Sequence, residues 1–414
     1  MQFLYYNVFF FLIFLVILFL FKTHALSKFT ISLWLFSAIS TVIYTSFFLE
    51  NFIDFNIEPV VFLQTCIVLY IFPLVKIRIS KLHVSEFTIY NIELLMTILG
   101  VMSLLPFLEH VVYMVNTFSV ASTSILDMYE DKMDGKSNII TWLDPLAYFF
   151  YGIVGNFRYI MIFLLFILFC VKKYINKWKL ILYCVAVLNP IVGSINTSGR
   201  GSFFFFLITL LILYFLLKRV IIVNIPHVLK MFFFSVIFLF SFAVVLITLI
   251  RNDGSDYSAW LWSSLYFGEG QVNFFQDMWN IKRFTEGDNS FAYFKYILGL
   301  DTFKDFLDRR EFWNISKTGV DPVRFYTFIG DWFSDIGFNT FLLVLILSLG
   351  IVRIVRKDKW NLLNLYTVYI YSYIICTGFT YYSLKAYFNT YQVVLGAILL
   401  FLMTKFNLKS TKRL

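Results

Sequence analysis

Long apolar runs alternate with short polar connectors along most of the 414-residue chain. A helix needs about 20 apolar residues to cross a hydrocarbon layer roughly 30 Å thick, because its backbone polar groups must be bonded within the segment. The pattern therefore predicts an all-α, polytopic integral membrane protein with about eleven or twelve transmembrane helices. We place the spans near 3–21, 29–49, 59–75, 94–115, 146–171, 180–195, 202–217, 231–250, 338–352, 362–381 and 386–404.

One long polar segment, residues 251–337, interrupts the alternation. It divides the chain into helices 1–8 with short loops (1–250), one large outer loop (251–337), and three further helices with a basic tail (338–414). Aromatic and polar residues alternate over 257–280 and recur over 302–313, which predicts short interfacial helices within the loop. Loops of this length in compact proteins are usually functional.

Two of the spans are irregular. The run 146–171 contains Gly152, Gly155, Asn156 and Arg158, so we expect its first turns to lie at the interface or to line a cavity. The run 180–195 is short and contains Asn189-Pro190, which predicts a kinked or broken helix.

The composition supports the membrane class, with 60% hydrophobic and only 14% charged residues. A soluble domain averages about 25% charged residues. The net charge of +9 does not indicate nucleic acid as a partner, because the basic residues concentrate in the short connectors. The first run lacks a basic start and a small-residue cleavage site, so we read it as a retained span. The cysteines all fall inside apolar runs, which predicts neither a disulfide framework nor a metal cluster.

Lysine and arginine mark every second connector, whereas the intervening connectors are acidic or mixed. The positive-inside rule assigns the basic side to the cytoplasm. The amino terminus, the acidic segment 116–145, the NTSGRGS segment (196–202) and the long loop are then expected outside. The basic connectors lie at 22–28, 76–81, 172–179, 218–230, 353–359 and 405–413.

Arg200 is the first candidate for chemistry, because it stands between Gly199 and Gly201 at the predicted outer end of a span. The glycines allow close backbone approach, a helix start favours anions, and guanidinium matches phosphate oxygens. The alternative is an interfacial arginine that reaches the lipid headgroups.

Two ionisable residues lie in or beside apolar runs. Arg158 is a candidate ligand for substrate, and its alternative is a structural ion pair with a carboxylate such as Glu109. His110 is the one histidine that the topology places outside, which makes it a candidate general base. The alternative for His110 is a structural role.

In the long loop, Glu269 within GEG, Asp331 within GDW, and Asp335 are carboxylates near predicted membrane boundaries. Such carboxylates suit a base that acts on a membrane-embedded substrate, and loop arginines suit phosphate or sugar ligands. The alternative for each is a solvated loop charge. The candidate arginines are Arg251, Arg309, Arg310 and Arg324.

The sequence resembles the Wzy-type repeat-unit polymerases of the O-antigen polymerase and ligase superfamily. The resemblance rests on the span pattern, the SGRG turn at an outer helix end, the late outer loop, and the segment GDW-x-SD-x-G-x-N that enters the next span. It implies a metal-independent glycosyltransferase without cofactor in a bacterial inner membrane, with its active site facing the periplasm or exterior. Its substrate would be a polyprenyl-diphosphate-linked oligosaccharide, and its implied partners are membrane lipids, a flippase and a chain-length regulator.

The resemblance also suggests roles. Arginine in the outer loops is the usual functional residue of the family, which corresponds here to Arg200 and then Arg251. We expect arginine to stabilise the departing diphosphate, and Glu269, Asp331 or His110 to take the acceptor proton. The expected substrate-binding residues are Arg251, Arg158, Arg324, Gly199 and Gly201.

Four alternatives stay open. A ligase of the superfamily would carry a histidine in the large loop, and residues 251–337 contain none. A flippase would spread charges through its spans. A transferase that uses a lipid-monophosphate sugar would need metal-binding acidic spacing in the first outer loop, which Glu50 and Asp54 do not have. A scaffold would leave the Gly-Arg-Gly turn unexplained.

Overall fold

A computed structural model describes residues 1–48, 56–79, 82, 84–119, 143–196, 200–221, 238, 259–300, 313, 315–321, 324–357 and 360–405. This part of the chain is 79% helical and contains no strand. The all-α expectation is therefore confirmed for the residues described. The chain divides into two compact units: unit 1 comprises Met1–Arg78, Trp260–Asp358 and Thr367–Tyr391, and unit 2 comprises Ile79–Ala259, Lys359–Tyr366 and Gln392–Leu414.

The helices follow the apolar runs closely in the described ranges. They are α1 (Gln2–Leu20), α2 (Ala25–Phe48), α3 (Glu58–Ile71, extended by a 3₁₀ turn Phe72–Lys76), α4 (Glu86–Ser119), α5 (Pro145–Gly155), α6 (Arg158–Val171), α7 (Lys177–Asn196), α8 (Arg200–Leu217), α9 (Ala259–Gln276), α10 (Ala292–Ile297), α11 (Ile315–Thr318), α12 (Phe328–Ile336), α13 (Asn339–Val355), α14 (Leu362–Thr377) and α15 (Tyr387–Lys405).

Within the described part of the chain, five helices are long and apolar enough to cross a membrane, or six if the bent pair α5 and α6 is one span. The five are α1, α2, α3 with its 3₁₀ turn, α4 and α15, and shorter apolar helices include α13 and α14. The pair α5 and α6 is bent by 68° at Asn156-Phe157, where the sequence predicted irregularity. The predicted span 231–250 and the predicted helix 302–313 lie outside the described residues, apart from Phe238 and Trp313.

Unit 1 is built around fully buried aromatic side chains. Trp34 of α2 meets Phe328 of α12 at 6.2 Å between ring centroids, and Tyr70 of α3 meets the same ring at 5.2 Å. At the other end of α12, Phe333 meets Phe62 of α3 at 5.7 Å. Helix α12 therefore runs antiparallel to α3, alongside a helix apolar enough to span a membrane.

A chain of amide and hydroxyl groups links four helices of unit 1. Asn7 of α1 donates to Gln271 of α9 at 2.6 Å and accepts from Gln64 of α3 at 3.0 Å. Gln271 in turn donates to Ser37 of α2 at 2.8 Å. Buried amides must be bonded among apolar neighbours, so this chain fixes the position of α9 between α1, α2 and α3.

Helix α9 is therefore a core element over much of its length. The sequence predicted a helix over 257–280 and proposed that its aromatic residues suit the lipid interface. The helix is confirmed, but Phe274 and Phe275 are fully buried, so the interfacial placement is wrong for these two residues. The reason is that Phe274 packs against Phe62 of α3 and Phe333 of α12.

Unit 2 is organised around α6, in which every residue from Tyr159 to Cys170 is buried. A helix that is apolar on all sides belongs in a core. Around it, α4 and α7 run in the same direction, because Thr97 lies near Tyr183 and His110 lies near Gly193. The alternation of basic connectors predicts this relative direction.

The structure corrects one prediction in unit 2. The run 180–195 was expected to be kinked or broken at Asn189-Pro190, yet α7 is assigned as one helix from Lys177 to Asn196 with Pro190 inside it. Tight packing on α4 supports this helix: a Cβ on Gly100 would stand 2.8 Å from the Leu182 carbonyl oxygen. A break at Asn189-Pro190 is therefore wrong, and the alternative of a kink stays a prediction.

Candidate functional site

The GEG motif of α9 fixes Glu269 between two close backbone approaches. A Cβ on Gly268 would lie 2.5 Å from the carbonyl oxygen of Ser40 in α2. A Cβ on Gly270 would lie 2.8 Å from the carbonyl oxygens of Phe379 and Thr380. Only glycine permits both approaches, so the two glycines hold Glu269 in a narrow space with its side chain half-buried.

Glu269 shares one face of the helix with two further polar residues. Residues four apart lie one above the other on a helix, which aligns Glu269 with Asn273 and with Asp277 just beyond the last turn. Asn273 donates to Glu269 Oε1 at 3.1 Å and to the Phe325 carbonyl at 3.0 Å. This amide therefore connects the carboxylate to the segment that carries Arg324.

Arg324 contacts the same face near the C-terminal end of α9. Its Nη1 donates to Asp277 Oδ2 at 3.3 Å, and its Nε lies 3.9 Å from Asp321 Oδ2. Half of its side chain is exposed, at 53%, so the guanidinium is accessible to a ligand. The site thus combines a half-buried carboxylate with a solvent-facing cation.

Burial dominates the electrostatics of this site. Removal from water raises the pKa of Glu269 above its ordinary value, and the Asn273 hydrogen bond and Arg324 oppose that shift. Desolvation also raises the pKa of Asp277, again against Arg324. A carboxyl with a raised pKa is a stronger proton acceptor in its ionised form, which suits a general base.

Aromatic rings flank the charged groups. Phe325 stacks on Tyr381, with centroids 5.7 Å apart and an interplanar angle of 15°, and it also contacts Tyr266 at 5.9 Å. Tyr326 donates its hydroxyl to the Asp321 carbonyl at 3.0 Å, which stabilises the turn that carries Arg324. The site therefore combines a carboxylate, a guanidinium and aromatic rings.

Asp331, the second carboxylate predicted as a base, is an anchor for unit 1. It is 1% exposed, and its Oδ2 accepts from the backbone N–H of Tyr382 at 2.7 Å. Its Oδ1 accepts from Asn289 at 3.1 Å and lies 3.4 Å from Lys385 Nζ. These three contacts fix the carboxylate between α12, the 285–290 segment and the segment before α15, so they favour a structural role.

Asp335 has a similar position one turn later. It accepts from the backbone N–H groups of Gly287, Asn289 and Ser290 at 2.8–3.1 Å, and from the hydroxyl of Thr285. Complete burial raises its pKa to about 6, although these donors oppose the shift. Asp335 fixes the 285–290 segment onto α12.

His110 and Arg158 belong to unit 2, whereas Glu269 belongs to unit 1. His110 is fully buried and its ring lies 4.9 Å from that of Tyr151. Gly193 leaves the space they share, since a Cβ there would stand 2.6 Å from the Tyr151 hydroxyl and 2.9 Å from His110 Nε2. Arg158 begins α6 beyond the bend and interacts electrostatically with Tyr151.

The structural pair proposed for Arg158 does not form, as Arg158 and Glu109 make no ion pair in the described chain. Glu109 instead accepts from the backbone N–H of Asp144 at 3.0 Å. Arg200 begins α8, as the sequence predicted, but its side chain lies outside the described residues, and Gly201 is exposed with open space around it. Gly199, Arg251, Arg309 and Arg310 also lie outside them.

Four residues of unit 1 were missed in the sequence: Asn273, Asp277, Asp321 and Lys385. The first two carried a signal, because Glu269, Asn273 and Asp277 follow one another at steps of four on one helix face. Asp321 was detectable only by its spacing of three from Arg324. Lys385 carried no signal, since only the tertiary fold brings it to Asp331. Among the residues described, no group of three or more His, Cys, Asp or Glu side chains is placed to hold a metal ion.

Comparisons with protein-family models, with curated proteins and with solved structures found no match for this chain.

Proposed function

We propose that this protein is an integral membrane glycosyltransferase that joins polyprenyl-diphosphate-linked oligosaccharide units into a surface polysaccharide. Its active site would face outward from a bacterial inner membrane. The proposal combines the resemblance carried by the SGRG and GDW segments with the helices that are apolar enough to span a membrane. The observation that carries it furthest is Glu269, a half-buried carboxyl with a raised pKa, connected through Asn273 to the segment of Arg324.

In the proposed reaction an acceptor hydroxyl attacks the anomeric carbon of the growing chain. The bond from that carbon to the lipid diphosphate breaks as the new glycosidic bond forms, and Glu269 takes the hydroxyl proton. Positive charge then stabilises the developing diphosphate, as preorganised donors do for developing anions. Arg324, whose charge acts on Glu269, would bind the acceptor or the diphosphate. Arg200, whose side chain lies outside the described residues, is a candidate for the diphosphate from the sequence alone.

The sugar rings would bind beside the stacked pair of Phe325 and Tyr381, both of which remain partly exposed. Sugars present apolar C–H faces as well as hydroxyls, so an aromatic face beside hydrogen-bonding groups complements both. His110 is fully buried, which makes Glu269 the better assignment for the base.

The test is the lipid-linked glycan profile of a deletion strain complemented with single variants. Wild type should restore a ladder, whereas Glu269→Gln, Arg324→Ala, Arg200→Lys and Arg200→Ala should leave a single repeat unit on the outer face. Lys357→Ala, at an exposed lysine remote in sequence from these residues, is the control and should restore the ladder. A full ladder from Glu269→Gln at equal protein levels would remove the base assignment.

One observation favours a second function, a transporter of lipid-linked oligosaccharide. Helix α14 ends at Thr377 and α15 begins at Tyr387, and Phe379 of the intervening segment packs on Trp34 of α2, with ring centroids 6.5 Å apart. Lys385 in this break pairs with Asp331. Discontinuous helices with charges near the centre of a bundle are typical of transporter sites.

The same deletion strain distinguishes the two functions. A polymerase mutant accumulates single lipid-linked units that reach the outer face, where an externally added glycosidase cleaves them. A transporter mutant accumulates units protected from that enzyme until the membrane is permeabilised. Protected units would therefore replace the polymerase proposal with the transporter.

A further inference from the structure

A groove of about 670 Å³ opens on unit 1, separate from the groups assigned to the reaction. It is lined by Arg283, Phe284, Glu286, Asp335, Ile336 and Asn339. Arg283, Glu286 and Asn339 are exposed at its rim, whereas Asp335 is buried at its base. Pockets for small molecules usually have volumes in the range of about 300–1,000 Å³.

The turn that carries Glu286 has an unusual residue for its backbone geometry. Asp288 N–H donates to the Thr285 carbonyl at 3.0 Å, and the two central residues, Glu286 and Gly287, have φ of +53° and +93°. A four-residue turn that is closed by this hydrogen bond and has positive φ at both central residues resembles a type I′ turn. Such a turn favours asparagine, aspartate or glycine at its first central position. Glutamate is disfavoured there, so local backbone preference does not account for this side chain.

The surrounding structure holds the turn in this conformation. Asp335 accepts from three backbone N–H groups of the segment, and Thr285 N–H donates to the Ser334 carbonyl at 2.8 Å. These bonds tie both sides of the turn to α12. Glu286 is thus presented at the rim by a rigid support, the usual arrangement of a binding residue.

Arg283 and Phe284 are also held by contacts with neighbouring residues. The Arg283 guanidinium lies 5.8 Å from the centre of the Trp313 ring, within the range of a cation–π interaction. The Phe284 ring packs against Gly337, where a Cβ would stand only 2.7 Å from it, and remains 41% exposed. The groove therefore offers a carboxylate, a guanidinium, an amide and one aromatic face.

We propose that this groove binds a short stretch of oligosaccharide, as a glycan subsite of the function proposed above, on which this inference rests. Glu286 and Asn339 would accept hydrogen bonds from hydroxyls, Arg283 and Asn339 would donate to ring and hydroxyl oxygens, and Phe284 would contact a C–H face. The rim carries one cation and one anion, so it does not favour a polyanion. Four of the six lining residues carry polar groups beside the apolar surface of Phe284 and Ile336, a mixture that suits a ligand with both hydroxyls and C–H faces.

Binding is measured on the full-length protein in lipid nanodiscs, with oligosaccharide repeat units released by mild acid from the surface polysaccharide of the source strain. Saturation-transfer NMR and titration calorimetry report contact and affinity. Glu286→Gly and Arg283→Ala should each weaken affinity roughly tenfold or more, as expected for the loss of a hydrogen bond to a charged group. Lys357→Ala, outside the groove, should bind as wild type does.

Glu286→Gly also separates binding from folding. Glycine adopts positive φ without strain, so this variant should melt at the temperature of wild type or above it. Asparagine also suits a type I′ turn, so Glu286→Asn should melt at the temperature of wild type or above it and should bind the oligosaccharide more weakly than wild type does. A misfolding artefact would lower both quantities together and would be evident in the melting curve.

Two results would overturn the groove proposal: no oligosaccharide binding by wild type, or equal affinity in wild type, Glu286→Gly and Arg283→Ala. Neither requires polymerisation, so the fate of the proposed function is decided separately by the ladder of Glu269→Gln. If Glu269→Gln loses the ladder while the groove variants bind oligosaccharide as wild type does, the polymerase proposal is supported and the groove proposal is wrong.

Discussion

At the residue scale, Gly268 and Gly270 cannot be replaced by a larger residue without strain, because each faces backbone atoms that a methyl group would clash with. The added Cβ would lie 2.5 Å from Ser40 O and 2.8 Å from Phe379 O. Backbone cannot yield as a flexible side chain does, so we expect Gly268→Ala and Gly270→Ala each to lower the free energy of unfolding by about 1–3 kcal/mol. Unfolding in mixed micelles, followed by tryptophan fluorescence, measures this.

Gly350 in α13 is the matched control for these two variants. It is also a helical glycine, but no atom lies within 4 Å of a Cβ built there. Gly350→Ala should therefore be neutral or stabilise the protein by up to about 1 kcal/mol, from helix propensity alone. Equal effects at all three positions would mean that the close approaches at Glu269 do not constrain the fold.

Glu269 carries the pH dependence expected of the reaction. Burial raises its pKa, so on acidification it becomes protonated before an ordinary glutamate does, and a protonated base cannot accept the acceptor proton. The polymerisation rate of purified protein should therefore fall as pH decreases through this raised pKa. Glu269→Asp should retain a pH-dependent residual rate, whereas Glu269→Gln should show a low rate at every pH.

The same shift has a consequence for stability with the opposite sense. A carboxyl whose pKa is higher in the folded state binds a proton more tightly there, so its contribution is present below the unfolded value of 4.5 and is lost as pH rises through the folded value. In Glu269→Gln, which lacks the carboxyl, the free energy of unfolding should decrease less as pH rises from the unfolded pKa to the folded pKa of Glu269. A wild-type rate that is independent of pH, with identical stability profiles, would contradict the role of Glu269.

At the scale of elements, α12 is attached to the break between α14 and α15 through a buried ion pair. Lys385 Nζ lies 3.4 Å from Asp331 Oδ1, with side-chain exposures of 16% and 1%. Removing one member leaves a buried charge without its partner, which costs about 3–5 kcal/mol in other proteins. Lys385→Met should therefore destabilise unit 1 strongly, as measured by unfolding in mixed micelles.

A double-mutant cycle isolates the pair from the other contacts of Asp331. Asp331→Asn and Lys385→Met together should cost less than the sum of the two single variants, with a coupling of about 1–3 kcal/mol. The exposed pair of Arg324 and Asp321, 3.9 Å apart with exposures of 53% and 38%, should couple by less than about 1 kcal/mol. Additive effects at Asp331 and Lys385 would show that the pair contributes only through separate contacts.

The elements also show what the sequence can predict. Long apolar runs marked α1 to α4 and α13 to α15, because the length of an apolar segment alone determines such a helix. The largest boundary error is in α4, which begins at Glu86 and not near residue 94. The bend at Asn156-Phe157 was not predicted: the polar and glycine residues of that run indicated only that its first turns lie at the interface or line a cavity. The roles of α9 and α12 were not predicted either: both are short on apolar signal, and only tertiary contacts to Phe62, Ser40 and Tyr70 place them in the core of unit 1.

The candidate site likewise contains some residues that a local sequence pattern indicates and others that only the tertiary fold brings together. Glu269 was found from its glycines, and its spacing to Asn273 and Asp277 was readable on one helix face. The contacts of Arg324 and Lys385 depend on chain segments that meet across 40 or more positions, and no local pattern encodes such meetings. Asp331 looked equivalent to Glu269 in sequence, and only its three hydrogen-bond donors distinguish an anchor from a base.

For the whole molecule, the basic connectors predict which polar segments lie in the cytoplasm, and labelling of introduced cysteines measures it. The four native cysteines are buried, so they give little background with a membrane-impermeant maleimide. Lys177 and Lys357 are exposed residues of basic connectors, and Lys282 is an exposed residue of the long polar segment. In intact cells that have no outer membrane to exclude the reagent, Lys282→Cys should react with the maleimide. Lys177→Cys and Lys357→Cys should react only after the cells are lysed. Reaction of the two connector cysteines in intact cells, with protection of Lys282→Cys, would reverse the orientation and place the Glu269 site on the cytoplasmic side, where lipid-linked units are assembled rather than joined.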